Sequence, residues 1–331
     1  MSLISVIVPS YNRADLVRRC YDSVVAQSHR PLEFLLADDA STDDTAAATA
    51  ALPTVPGVTV RYLRQPTNQG VSAARNMAVR VAQGELIAML DSDDVWFPTH
   101  LEKLLALMAR TGADVVYANG EIRESPEALP SGRSDFGPQP REAAELAECI
   151  YYYNFVLPSV TMVDRRFFVQ VGFFDEHPDI QHAEDWDIFL RAAQAGLTFA
   201  HLPEATAYYI VPARVPESKQ QMMMRRFIFC QEKHSSYPLA PASGRRLTLG
   251  YYRIWLGRML GAENAEAQEL FQRVWSASWW HPLMGPTSLC GLLIPRLPAA
   301  LRPYAHKLLA RLFAPLRASH RRLRGFADPW G

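Results

Sequence analysis

Through the first 120 residues, short apolar runs alternate with stretches of helical spacing, the pattern of a βαβ series. Residues 3–8 form a run that is apolar but for Ser5, as suits a strand buried on both faces. After the polar Pro9-Ser10-Tyr11-Asn12, a helix is expected in which Leu16, Cys20, Val24 and Gln27 share one face, with Asp15 favouring the dipole near its start. Further strands are expected over residues 32–37, 58–63 and 86–90. Helices are expected over the Ala-rich stretch after Thr45, over 71–82 and over 98–108. Ser41 or Thr42 is placed to cap the Ala-rich helix, and Gly84 to close the 71–82 helix. Each strand runs into a polar cluster at its carboxyl end, where open α/β sheets place ligands.

Past Asp114 the pattern changes. Residues 115–117 read as a strand, 124–140 as a loop rich in Pro, Ser and Gly, 142–155 as helix, 159–163 as extended and 165–171 as a short helix ending near Gly172. Trp186, Phe189, Leu190 and Ala193 make the apolar stripe of a helix that begins at Glu184-Asp185 and ends at Gly196. Beyond residue 215 the spacing is mostly helical, with proline breaks. The expected division is a first domain over 1–215, with halves at about 1–112 and 113–215, and a helical region over 216–331.

Composition adds one point to this picture. The 331 residues hold 34 Lys and Arg against 34 Asp and Glu, which argues against a dedicated nucleic-acid binder. The balance hides a segregation: residues 1–210 carry 16 basic and 28 acidic side chains, and residues 211–331 carry 18 and 6. Cys20, Cys149, Cys230 and Cys290 form no CxxC pair, so neither a zinc ribbon nor a disulfide framework is suggested, and reduced thiols in a cytoplasmic protein are expected. The N-terminus shows no signal-peptide pattern, and no apolar run reaches the roughly 18–20 residues that a membrane span needs.

The carboxylates carry the candidate chemistry. Asp91 and Asp93, in a loop at a strand end, offer two hard oxygen ligands suited to Mg²⁺ or Mn²⁺ together with phosphate oxygens and water. The other reading is a solvated acidic turn before a helix. Tyr11 can stack on a base and Asp39 can accept from a base N–H. Arg75 and Asn76 either face a ligand near Gly70 or form a solvated helix face. Glu184 and Asp185 are either helix-start acids or a general base projecting into a cleft. No G-x-G-x-x-G and no G-x-x-x-x-G-K-[ST] occurs, which excludes a nicotinamide dehydrogenase and a P-loop kinase.

Five stretches in order, Ser5-Val6-Ile7-Val8-Pro9-Ser10-Tyr11-Asn12-Arg13, Asp38-Asp39-Ala40-Ser41-Thr42-Asp43-Asp44-Thr45, Asn68-Gln69-Gly70-Val71-Ser72-Ala73-Ala74-Arg75-Asn76, Leu90-Asp91-Ser92-Asp93-Asp94 and Glu184-Asp185-Trp186, resemble family 2 glycosyltransferases of the GT-A fold. The resemblance implies an α/β fold, a Rossmann-like mixed sheet flanked by helices, with an α-helical C-terminal extension. It implies inverting transfer of a hexosyl or N-acetylhexosaminyl group from a nucleotide-sugar, most often a UDP-sugar, to a glycan or lipid-linked acceptor in cell-surface polysaccharide synthesis. The donor site it implies comprises Pro9, Tyr11, Asn12, Arg13, Asp39, Asn68, Gly70, Arg75, Asp91 and Ser92. Asp93 with Asp91 would hold Mn²⁺ or Mg²⁺, Asp185 would be the base, and Glu184 would help to place the acceptor. One position departs from the family. Where many members carry a His in Tyr-Arg-x-His-Pro, this chain reads Tyr208-Tyr209-Ile210-Val211-Pro212, and Val211 cannot coordinate. Weaker metal dependence is expected, or a substitute contact from His201 or Arg214. The alternative function is a non-catalytic nucleotide-sugar-binding subunit.

Between residues 271 and 327 there are nine Lys and Arg and no acid, with Leu301, Tyr304, Leu308, Leu312, Leu316 and Leu323 on one helical face and Trp275, Trp279 and Trp280 before them. Such a helix suits anionic lipid, which places the protein peripherally on the inner face of the cell membrane. The other reading is a helix packed on protein. Oligomeric state is not legible.

Overall fold

The computed structural model describes residues 2–125, 127–128, 143–211, 215–240, 242–261 and 264–278. Most of the basic C-terminal segment, Pro315, Arg214 and Cys290 lie outside the described residues, as does most of the 124–140 loop. The described chain falls into two units, one of residues 1–150 and 154–214, the other of 151–153 and residues from 215 onward.

In the first unit β1 (Ile4–Ser10), α1 (Ala14–Val25), β2 (Leu32–Asp38), α2 (Thr45–Ala50), β3 (Val58–Arg64), α3 (Val71–Val81) and β4 (Leu86–Met89) build a parallel βαβ series. β1, β2 and β4 are buried at every residue, which is why they read as mostly apolar runs, and the polar Ser5 and Glu33 within β1 and β2 bond each other. Then follow β5 (Val95–Trp96), α4 (His100–Thr111), β6 (Val115–Arg123), α5 (Ala143–Tyr152), β7 (Thr161–Asp164), α6 (Phe167–Val171), α7 (Glu184–Gln194) and β8 (Phe199–Ile210). The sheet order is β3-β2-β1-β4-β7-β6-β8-β5. β7 runs antiparallel to both β4 and β6, and β8 runs parallel to β6, so the sheet is mixed, as the resemblance implies.

Several expectations change. β5 and β8 are not among the expected strands, and β6 is longer than its expected core. Residues 158–160 form a single 3₁₀ turn before β7 rather than the start of a strand. Gly84 does not cap α3, which ends at Val81 with Ala82 as its cap. A Cβ on Gly84 would stand 2.6 Å from the Ser5 amide nitrogen, so this glycine lets the chain pass against β1. The α2 cap is Asp44, not Ser41 or Thr42.

In the second unit α8 (Glu217–Lys233), α9 (Ala242–Leu260) and α10 (Ala265–Ser278) bury Met224, Ile228 and Leu256 among Phe227, Leu249, Tyr252, Trp255 and Leu270. Tyr151 stacks on Tyr237, and Gln231 Nε2 donates to the Tyr151 carbonyl at 2.6 Å. Among the described residues no helix is long and apolar enough to cross a membrane.

Candidate active site

The loops at the carboxyl ends of β1 to β4 are tied together by hydrogen bonds. Asn12, at φ +53°, donates its amide to Ser41 Oγ at 2.8 Å and accepts from the Thr42 amide through Oδ1 at 2.8 Å. That clasp is what Ser41 and Thr42 do in place of capping α2. Asp38 is buried and accepts from the Tyr62 hydroxyl, from Arg64 and from the Ser41 amide. Asp39, one residue on, accepts from the Gln69 and Gly70 amides, one per oxygen, each at 2.8 Å. The side chain expected to read a base thereby also fastens the loop after β3. Asn12, Ala40 and His182, the three non-glycine residues with left-handed backbone among those described, all lie in these loops or beside Glu184. Strain of about 1–3 kcal/mol at each persists only where surrounding structure enforces it.

Pro9 is buried within β1, while Tyr11 is 46% exposed, open for a flat ring to stack on it. Asn68 is exposed and Ser92 buried. Arg13 is half open, its guanidinium 3.9 Å from Asp93. Gly70 begins α3 at φ +93°, and the close approach it permits is made by a protein side chain: Gln181 Oε1 accepts from the Val71 amide at 3.2 Å. A Cβ on Gly70 would lie 2.6 Å from the Gln181 side-chain amide.

Arg75 is no solvated face. It is 3% exposed, with Nη1 2.7 Å from Glu184 Oε1 and Nη2 2.7 Å from Asp91 Oδ1. Its charge joins the two acidic stretches, which lie 90 residues apart in the chain. Asn76, its neighbour, is also buried and spends its amide on the backbone of Phe174, at 2.8 and 2.9 Å, and on Glu176. It therefore fixes the loop before α7 and offers nothing to a ligand.

Glu184 is 4% exposed, committed to Arg75 through one oxygen, with the other buried and unpartnered. Asp185 is more open, and its carboxyl is pushed up to about 7, first by burial, then by Glu184, with Arg75 opposing. A base poised there suits proton abstraction at neutral pH. Asp93 is raised by burial and by Asp91. Asp94, buried, accepts from the Ile210 amide at 2.8 Å, which stitches the acidic loop to the end of β8. Among the described residues no group of three or more His, Cys, Asp and Glu is placed to hold a metal ion.

Val211 donates its amide to the Arg123 carbonyl at 2.8 Å and continues the β8 edge. His201 is no substitute for the expected His. It stacks on Tyr117 and bonds Asn119, in register with Tyr117, nine residues along β8 from the Ile210 that touches Asp94. At about 3.3 Å per residue that strand distance removes it from the acidic loop. Tyr209 faces the carboxylates instead: burial first, and then Asp94, Asp91, Asp185 and Asp93, raise its hydroxyl well above the ordinary value. Asn154, Ser159 and Gln181 had no sequence signal beyond ordinary polar residues.

Comparison with known proteins accords with this geometry. Residues 5–169 match the sequence model of Glycosyl transferase family 2. The chain is 30% identical over 209 residues to TuaG of Bacillus subtilis (strain 168), a putative teichuronic acid biosynthesis glycosyltransferase, covering 62% of this chain and 78% of that one. It is 26% identical over 213 residues to WfaP of Escherichia coli, named a UDP-Glc:alpha-D-GlcNAc-diphosphoundecaprenol beta-1,3-glucosyltransferase, covering 64% and 79%. In fold it resembles the mannosyltransferase PcManGT of Pyrobaculum calidifontis, solved with GDP-Man and Mn²⁺, at a TM-score of 0.60 and 20% identity over 95% of this chain and 82% of that one. The chain belongs to glycosyl transferase family 2.

Proposed function

We propose that this chain is an inverting glycosyltransferase that moves a hexosyl or N-acetylhexosaminyl group from a nucleotide-sugar to a hydroxyl of a glycan or lipid-linked acceptor, in cell-surface polysaccharide synthesis. The carrying observation is Arg75, buried between Asp91 and Glu184, which brings the donor-side acids and the Asp185 carboxyl into one site. The UDP-glucose and diphosphoundecaprenol acceptor in the name of WfaP support a UDP-sugar and a lipid-linked acceptor here.

In this reading residues 1–215 are the catalytic domain, with the nucleotide bound by 1–112 and the acceptor by 113–215. Tyr11 stacks on the base, Pro9, Asn12, Asp39, Asn68, Gly70 and Ser92 shape its pocket, and Arg13 pairs with the diphosphate. Asp185 takes the proton of the acceptor hydroxyl as its oxygen attacks the anomeric carbon from the face opposite the departing nucleoside diphosphate. Arg75 holds Asp91 against the donor and Glu184 beside the base.

The donor set fits a divalent cation. Asp93 and Asp91 supply hard carboxylate oxygens, and the upward pressure of Asp91 on Asp93 marks negative charge that a cation offsets. Diphosphate and water oxygens would complete the coordination shell. Bound Mn²⁺ or Mg²⁺ supplies Lewis-acid stabilisation of charge on the leaving group. With Val211 in place of His, metal dependence is weaker than in relatives that carry the His.

Thermal-shift titration with UDP, GDP, dTDP and CMP, with and without Mn²⁺, tests base and metal. Nucleotide release from UDP-sugars separates this reading from that of a non-catalytic subunit, which would bind the donor and release nothing.

A further inference from the structure

Asn154 lies in the chain between α5 and the single turn at Pro158–Val160. Its Nδ2 donates to Asp185 Oδ2 at 2.9 Å, and its Oδ1 accepts from the Val156 amide at 3.3 Å. A backbone N–H only donates, so the Val156 contact settles which end of the side chain is carbonyl, and the NH₂ must face Asp185. The other oxygen of Asp185, Oδ1, accepts from the Trp186 amide at 2.8 Å. Each carboxylate oxygen thus holds one protein donor, rotation about the Cβ–Cγ bond is stopped, and a lone pair remains on each.

The segment that carries Asn154 is anchored. Phe155, Val156, Pro158 and Ser159 are buried. Ser159 Oγ accepts from the Asp91 amide at 3.0 Å, and its carbonyl accepts from the Trp96 indole at 2.6 Å. One short stretch therefore grips Asp185 at one end and the Asp91 loop at the other.

We propose that Asn154 is a positioning residue for the reaction, fixing the plane of the Asp185 carboxylate while Ser159 sets the Asp91 loop at a matched distance. The inference rests on the reading of Asp185 as the base. Its surroundings are Glu184 on the same helix, Arg75 from α3, Asp91 from the loop after β4 and the Tyr209 hydroxyl from β8. Of these only Arg75 favours the ionised carboxylate. Asn154 adds a neutral donor that does the same without adding charge.

Asn154→Asp is nearly isosteric and keeps an acceptor for Val156, so it alters chiefly the contact with Asp185. Asn154→Ala removes the side chain. In the full chain with Mn²⁺, nucleotide release is measured against pH from whichever of UDP-glucose, UDP-galactose, UDP-N-acetylglucosamine and GDP-mannose the unaltered protein turns over with water as acceptor. Both variants should lose about 10–100-fold in kcat at neutral pH, with donor KM within about threefold, and the acidic limb should move up by about one unit, further for Asp than for Ala.

The same shift is read without substrate, as the pH at which melting temperatures of each variant and of its Asp185→Asn derivative diverge. An unmoved limb and an unmoved divergence in folded variants that still bind UDP overturn the proposal, as does a parallel change in kcat and KM. Full turnover by Asp185→Asn alone would defeat the underlying reading instead.

Discussion

Arg75 Nη1 stands 2.7 Å from Glu184 Oε1, and both side chains are almost wholly excluded from solvent. This pair joins α3 to the first turn of α7 and places Asp185 next to the acids of the β4 loop. The buried charges of Arg75 and Glu184 offset each other, and Arg75 pairs with Asp91 as well.

Removing one partner should therefore cost more than removing both. Arg75→Gln is expected to lower stability by about 3–5 kcal/mol in urea denaturation, because it strands Glu184. Adding Glu184→Gln to that variant should recover part of the loss, giving a favourable coupling in the double-mutant cycle.

Acid should silence the protein before it unfolds it. With the Asp185 carboxyl near 7, activity is expected to fall as the pH drops through that value. For stability the sign is opposite. The folded chain keeps a proton on Asp185 that the unfolded chain has released above about pH 4, so this group's stabilisation is full below that point and lost as pH rises towards 7. His100 works the other way: burial lowers it to about 3, so stability falls as pH drops below about 6.5. Melting temperatures across this range should lose the Asp185 contribution, and only that one, in Asp185→Asn.

Gly84→Ala is expected to destabilise by about 1–3 kcal/mol, since its Cβ meets backbone and not a flexible side-chain end. Activity per folded molecule should be unchanged, because Gly84 precedes β4 at the end of the sheet away from the polar loops.

Much of this was legible in the sequence, for identifiable reasons. β1, β2 and β4 are buried on both faces, and that burial makes mostly apolar runs. β8 escaped because it is a half-buried strand with exposed Pro203 and Glu204 inside it, so neither an apolar run nor a clean alternation marks it. The carboxylates that Arg75 joins were marked in the sequence by type and spacing. What they touch was not, because Arg75 meets Glu184 across 109 residues and Asp39 meets Gly70 across 31. Gly84 departs from its expected role for a related reason: a glycine after a helix signals a cap, and only the neighbouring strand shows that close approach is its purpose.

The basic C-terminal segment, most of which lies outside the described residues, gives a prediction from sequence alone. If it docks on anionic lipid, the full chain should float with vesicles containing phosphatidylglycerol and not with neutral phosphatidylcholine. Arg317→Glu, Arg321→Glu and Arg324→Glu together should abolish flotation, at about 1 kcal/mol per basic residue lost. Flotation of the full chain no greater with anionic than with neutral vesicles would assign the segment to protein packing.

Asp185 is proposed as the base of a transferase. The most direct test is Asp185→Asn in the full chain, measuring nucleotide release from the UDP-sugar the unaltered protein uses, beside UDP binding by thermal shift. Release should fall by about 10²–10⁴-fold with UDP binding retained. Release within a few-fold of the unaltered protein, at undiminished UDP binding, would contradict it.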